Sequence, residues 1–157
     1  MTNSAQKKNS GFSLLEILIV IAIILDLALI ALPSFYRSRQ FAQDTRFMTD
    51  LRVASDGFDT YAAEHSSYPP NSTPGVVPTG MQQYLSGVDW SSQTTIGGQW
   101  NWDNNRNGSI AAVGVIFTNG SVNDVRMAAI DARIDNGILS TGGFRKTTSS
   151  IFAKVIE

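Results

Sequence analysis

The sequence predicts an α+β fold: one long amino-terminal helix, apolar enough in its first half to cross a membrane, with a small antiparallel sheet packed on its second half. Phe12 to Leu32 is a run of 21 residues, all apolar or small except Ser13, Glu16 and Asp26. Further along, Phe47, Leu51, Ala54, Phe58 and Tyr61 recur at steps of four and three residues, one face of a helix. Beyond Tyr68-Pro69-Pro70 the pattern turns to alternation at Gln99-Trp100-Asn101-Trp102 and a β-branched run from Ile110 to Thr118, which is strand chemistry.

The apolar run comes first. At about 1.5 Å per residue, a helix of that length roughly matches the hydrocarbon thickness of a bilayer. Buried in a soluble core instead, it would need protein on every side, more than a chain of 157 residues can supply. Lys7 and Lys8, with no acid before Phe12, put positive charge on the amino-terminal flank. That predicts a single-pass protein of the bacterial inner membrane, its amino terminus cytoplasmic and the remainder periplasmic or outside. An ordinary secretory signal has a shorter apolar region and a small-residue cleavage site after it. It also has no use for Glu16, since an ionised side chain at a bilayer centre costs about 2.5 to 3.5 kcal/mol. Such a group calls for a partner.

The segment Lys7-Lys8-Asn9-Ser10-Gly11-Phe12-Ser13-Leu14-Leu15-Glu16, continuing as Ile17 to Leu32 and Pro33, resembles the amino terminus of type IV prepilins and of the pseudopilins of type II secretion. The resemblance implies a type IV pilin-like fold and cleavage between Gly11 and Phe12 by a prepilin peptidase that also methylates the new terminal Phe12. It implies that Glu16 serves assembly by meeting the terminal amine of a neighbouring subunit. The parts fit physically. Cutting before the apolar run keeps the anchor on the product, and the cut creates an ammonium able to satisfy a carboxylate in a medium of low dielectric. Glu16 also lies about one helical turn from the new terminus, so pairing within one chain is the local alternative.

Asp26 departs from the family pattern, which keeps this stretch apolar and usually has glycine where Leu25 stands. No Lys or Arg lies three or four residues from it, so it has no helical partner. Either it pairs with a cation of a neighbouring subunit, a second candidate for assembly, or it is a protonated carboxyl bonded within its own helix. Pro33, where the family has its helix-kinking proline, lacks an amide hydrogen and is expected to bend the helix without ending it. From residue 34 the helix becomes amphipathic, with both signs of charge on the polar face. Gly57 reads as a mild weak point. The helix is expected to run from Phe12 to about Ser66, stopping before Tyr68-Pro69-Pro70 because proline disfavours helix in the preceding residue.

In the head, Pro69 to Gly80 reads as a loop and Met81 to Leu85 as a short helical turn. Asp103 to Gly108 is taken as the turn of a hairpin, with Trp100 and Trp102 on one face packing over Phe47, Leu51 and Phe58. Asp103, Asn105 and Asn107 also mimic the opening of an EF-hand loop, but its twelfth position is Gly114 where glutamate is needed, leaving a weak calcium candidate. Ser121 and Asp124 suggest a capping box before a helix from Val125 to Ile134, ended near Asn136-Gly137; a strand paired through Asn119-Gly120 is the alternative. Gly142 and Gly143 mark a turn, and Ser150 to Ile156 a closing strand. The organisation is therefore a leader (1–11), a transmembrane half-helix (12–33), an amphipathic half-helix (34–66) and a globular head (67–157).

Composition excludes much else. Twelve basic residues against 13 acidic ones give no field for nucleic acid. Without cysteine there is no disulfide, thiolate site or cysteine nucleophile. The single histidine, His65, reads as a helix-end residue, so no catalytic site and no cofactor are expected. The resemblance implies a structural filament subunit whose partners are other pilin-like subunits, the peptidase, the membrane and an inner-membrane assembly platform. A minor subunit at a filament tip, or a binding protein or enzyme with an ordinary anchor, are the alternatives. Absence of cysteine favours the secretion pseudopilin over a major pilin, since many of the latter carry a disulfide loop.

Overall fold

A computed structural model describes residues 13–106, 109–118 and 123–156. Helix α1 (Leu14–His65) is followed by strands β1 (Gln99–Arg106) and β2 (Ser109–Ile116), helix α2 (Asp124–Ile134), and strands β3 (Phe144–Lys146) and β4 (Ile151–Val155). The four strands form one antiparallel sheet in the order β1-β2-β4-β3. The α+β prediction is borne out, and the helix falls within two residues of its expected bounds. By internal contacts the chain divides into Met1–Gln40 and Phe41–Glu157.

In the first unit the described chain is helix from Leu14 onward, Pro33 included. Its apolar side chains from Leu14 to Leu32 stand exposed, and the stretch is long and apolar enough to cross a membrane with none of it buried in the chain itself.

The second unit builds its core where the stripe on α1 meets the inner face of the sheet. Phe47 stacks on Trp100 with ring centroids 5.7 Å apart, and Phe58 stacks on Trp102 at 3.8 Å. Phe47, Ala54, Phe58, Val113, Val115 and Phe152 have no exposed surface. Packing of the two tryptophans over the stripe is therefore as the alternation predicted. The indoles of Trp102 and Trp90 find acceptors in the connecting loop: Trp102 Nε1 donates to the Pro69 carbonyl and Trp90 Nε1 to that of Val76, each at 3.0 Å. The same loop lies along the free edge of β1, where the Gly75 amide donates to the Trp100 carbonyl at 2.8 Å and Asn71 exchanges hydrogen bonds with the backbone of Asn104. An edge covered in this way offers no template to another strand.

Four expectations need correction. Asp103 to Arg106 is not turn but the end of β1, where Asp103, Asn104 and Arg106 pair with Ala112, Ala111 and Ser109; strand pairing outweighs the turn preference of Asn and Asp. The cap of α2 is Asn123, whose side chain accepts from the Arg126 amide, rather than Ser121, which lies outside the described residues with Asn119 and Gly120. Strand β3 was not anticipated. Gly57 is a point of close approach rather than of weakness: a Cβ there would lie 2.7 Å from the Tyr84 carbonyl oxygen.

Candidate functional site

Gly11 and Phe12 lie outside the described residues, and the site begins at Ser13. The Ser13 amide donates to Glu16 Oε2 at 2.8 Å, while the Leu15 amide donates to Ser13 Oγ at 3.3 Å. This is a capping box: a serine and a glutamate three residues apart each satisfy an amide that the first helical turn leaves free. The Ser-x-x-Glu pattern was present in the sequence as Ser13 and Glu16. Sequence reading missed it by treating Glu16 only as a charge needing a charge. The structure gives that carboxylate a local partner in the single chain, and that partner is a backbone amide.

Asp26 is exposed on α1, and neither it nor Arg37 makes an ion pair among the described residues. Pro33 lies seven residues beyond Asp26, and the helix runs through it.

The weak calcium candidate fares differently by residue. Asp103 is buried, and Asn105 has a left-handed backbone with φ 53°. Asn107 lies outside the described residues. Because Asp103, Asn104 and Arg106 are held in the ladder with β2, this stretch of backbone does not wrap an ion as an EF-hand loop does. The donor set does not fit that motif, and no group of three His, Cys, Asp or Glu side chains that could hold a metal occurs among the described residues.

His65 closes α1 as its position suggested. Its Nδ1 lies 3.1 Å from the Tyr61 carbonyl and its ring stacks on Tyr61 at 4.1 Å. A cleft of about 670 Å³ in the head lies between α1, α2 and β4 and is lined by Arg52, Asp56, Arg133 and Lys154 among others. Its Lys154 Nζ donates to Ser55 Oγ at 2.9 Å, and Arg133 donates to Thr45 and lies over the Phe41 ring. These contacts tie the cations to the fold.

Residues 6–32 match the family model described as the prokaryotic N-terminal methylation motif. The chain is 30% identical over 63 residues to the type II secretion system core protein G of Vibrio cholerae serotype O1, covering 40% of this chain and 43% of that protein. It is 28% identical over 64 residues to the protein of the same name from Aeromonas hydrophila, covering 41% and 45%. The chain thus spans less than half the length of these curated relatives in the matched region. No solved structure matches it. Residues 6–32 accordingly carry a prokaryotic N-terminal methylation motif, and the chain is similar, over about two fifths of its length, to core proteins of type II secretion.

Proposed function

We propose that this chain is a structural subunit of a pilus-like filament, a pseudopilin of a type II secretion system in preference to a subunit of a type IV pilus. A prepilin peptidase cuts it between Gly11 and Phe12 and methylates Phe12. The product rests in the inner membrane through α1 until an assembly platform adds it to other pilin-like subunits. The carrying observation is the coincidence of a methylation motif at residues 6–32 with a bare apolar helix whose first turn holds Glu16. A helix with no covering in its own chain is suited first to lipid and then to copies of itself. The names of the curated relatives support the secretion system over the pilus.

On this reading Glu16 exchanges partners. In the single chain it caps its helix through the Ser13 amide. At the filament base it turns to the terminal ammonium that cleavage has made on the preceding subunit, an ion pair in place of a hydrogen bond from an uncharged amide. Glu16→Ala removes both contacts. That variant is expected to be inserted and cleaved normally and to yield no filaments; normal filaments from it would contradict the assembly role.

A further inference from the structure

Asp26 is a carboxylate in an apolar run, and its own chain offers no ion pair among the described residues. From Asn9 to Tyr36 there is neither Lys nor Arg. The first cation after Asp26 is Arg37, eleven residues on and, like Asp26, exposed on α1. At about 1.5 Å per residue the two lie roughly 16 Å apart along the axis, too far to meet within one chain. Eleven residues are close to three turns of about 3.6 residues, so both sit on one face of the helix. Arg39, thirteen residues on, points to the opposite side.

We infer that Asp26 is held by Arg37 of a second copy of this chain, parallel to the first and set about three helical turns closer to the cytoplasm. The inference rests on the filament reading above and deepens it by naming a contact between subunits. Two parallel helices offset by three turns bring the residue of one level with the residue of the other. The direction of the offset agrees with that required at the terminus. When Glu16 of a later subunit meets the amine on Phe12 of an earlier one, the earlier copy is raised by about one turn. Three such steps bring its Asp26 level with Arg37 of a subunit added later.

The offset also changes the surroundings of the acid. The middle of the run Phe12 to Leu32 is residue 22, which puts Asp26 about 6 Å beyond the bilayer midplane, inside a hydrocarbon half-thickness of roughly 15 Å. Raised by about 16 Å, it leaves the hydrocarbon and reaches the level at which Arg37 of an unraised copy emerges. Extraction of the acid and formation of the pair then occur together. A guanidinium is suited to this role because it stays charged and binds a carboxylate through two parallel donors.

The full chain without native cysteine permits a direct test. Copies carrying Asp26→Cys and copies carrying Arg37→Cys are co-expressed at low level with excess wild type, and assembled filaments are treated with a short thiol cross-linker. Mixed 26–37 dimers are expected on the order of tenfold above those from Asp26→Cys with Phe35→Cys, whose exposed position lies half a turn away from Asp26. A second measurement compares filament yield for Asp26→Asn, Arg37→Gln and the double variant. Arg37→Gln is expected to reduce yield on the order of tenfold alone and little in the Asp26→Asn background. Filaments that incorporate both cysteine variants but give no 26–37 cross-link above the Phe35→Cys control, or additive losses in the yield series, overturn the pair and leave the filament reading standing. A wild-type chain that is never cleaved or assembled overturns that reading and the pair with it.

Discussion

Asp131 on α2 has no exposed surface, and neither carboxylate oxygen has a hydrogen-bond partner. Burial first, then the neighbouring Asp135 carboxylate, push its pKa above the ordinary range, while the amides of Gly137 and Ile138 oppose the shift without reaching hydrogen-bond geometry. Because the fold favours the neutral acid, its contribution is complete below the usual carboxylate pKa of about 3.9 and is lost as pH rises through the raised folded value. Asp131→Asn cannot ionise. Its melting temperature relative to wild type, for the full chain in detergent, is expected to rise as pH is taken from about 4 to about 7; a difference independent of pH would contradict the buried, raised acid. Gly57 offers a test of opposite sign to helix propensity. Alanine in a helix interior is favoured over glycine by up to about 1 kcal/mol, yet its Cβ at 57 would press on the Tyr84 carbonyl. Gly57→Ala is therefore expected to destabilise the head by about 1 to 3 kcal/mol in denaturant titration. This close approach was invisible in sequence, because it depends on where the turn at residues 81–85 settles, and nothing local to Gly57 encodes that.

Among the elements, α1 was legible because two long-range patterns agree on it: an unbroken apolar run and then a stripe at helical steps. The hairpin was half legible. Alternation of Trp100 and Trp102 gave the inward face, but Asp103-Asn104-Asn105 reads as turn by composition and is strand by pairing. β3 is three residues, Phe144-Arg145-Lys146, too short for any period, and exists because β4 offers it a partner. The stack of Phe58 on Trp102 carries the contact between α1 and β1. Phe58→Ala and Trp102→Ala are each expected to cost about 3 to 5 kcal/mol, and a double-mutant cycle is expected to show coupling of about 0.5 to 1.5 kcal/mol; additive effects would mean the stack is incidental. Helix α2 is pinned to α1 by Arg126, which reaches Asp44 Oδ1 through Nη2 at 2.6 Å and Nε at 2.8 Å. Asp44 is 8% exposed, so Arg126→Ala leaves a nearly buried carboxylate without its guanidinium. A loss of about 1 to 3 kcal/mol is expected, little changed by salt because the pair is shielded from solvent.

For the whole molecule, the amino-terminal segment and the head give different kinds of information. The core of the head is made of packed aromatic and aliphatic side chains laid over the stripe on α1. The functional reading comes instead from about thirty residues whose charges and lengths make sense only together: basic residues Lys7 and Lys8, a Gly11-Phe12 junction before the apolar run, and acids within that run. Glu16 stands out in the sequence because a carboxylate in an apolar run is costly; its capping bond to Ser13 was legible in principle and was overshadowed by that cost. Processing would also alter the balance of charge. With 12 basic and 13 acidic side chains in the full chain, loss of Lys7 and Lys8 leaves 10 against 13. Every part of the functional account depends on the bond between Gly11 and Phe12. Intact-mass and amino-terminal peptide mass spectrometry of the chain recovered from membranes of a host with a prepilin peptidase tests it most directly. The account predicts a chain beginning at Phe12 and carrying one methyl group on its terminal amine; an intact leader, or a terminus beyond Ala31, would contradict it.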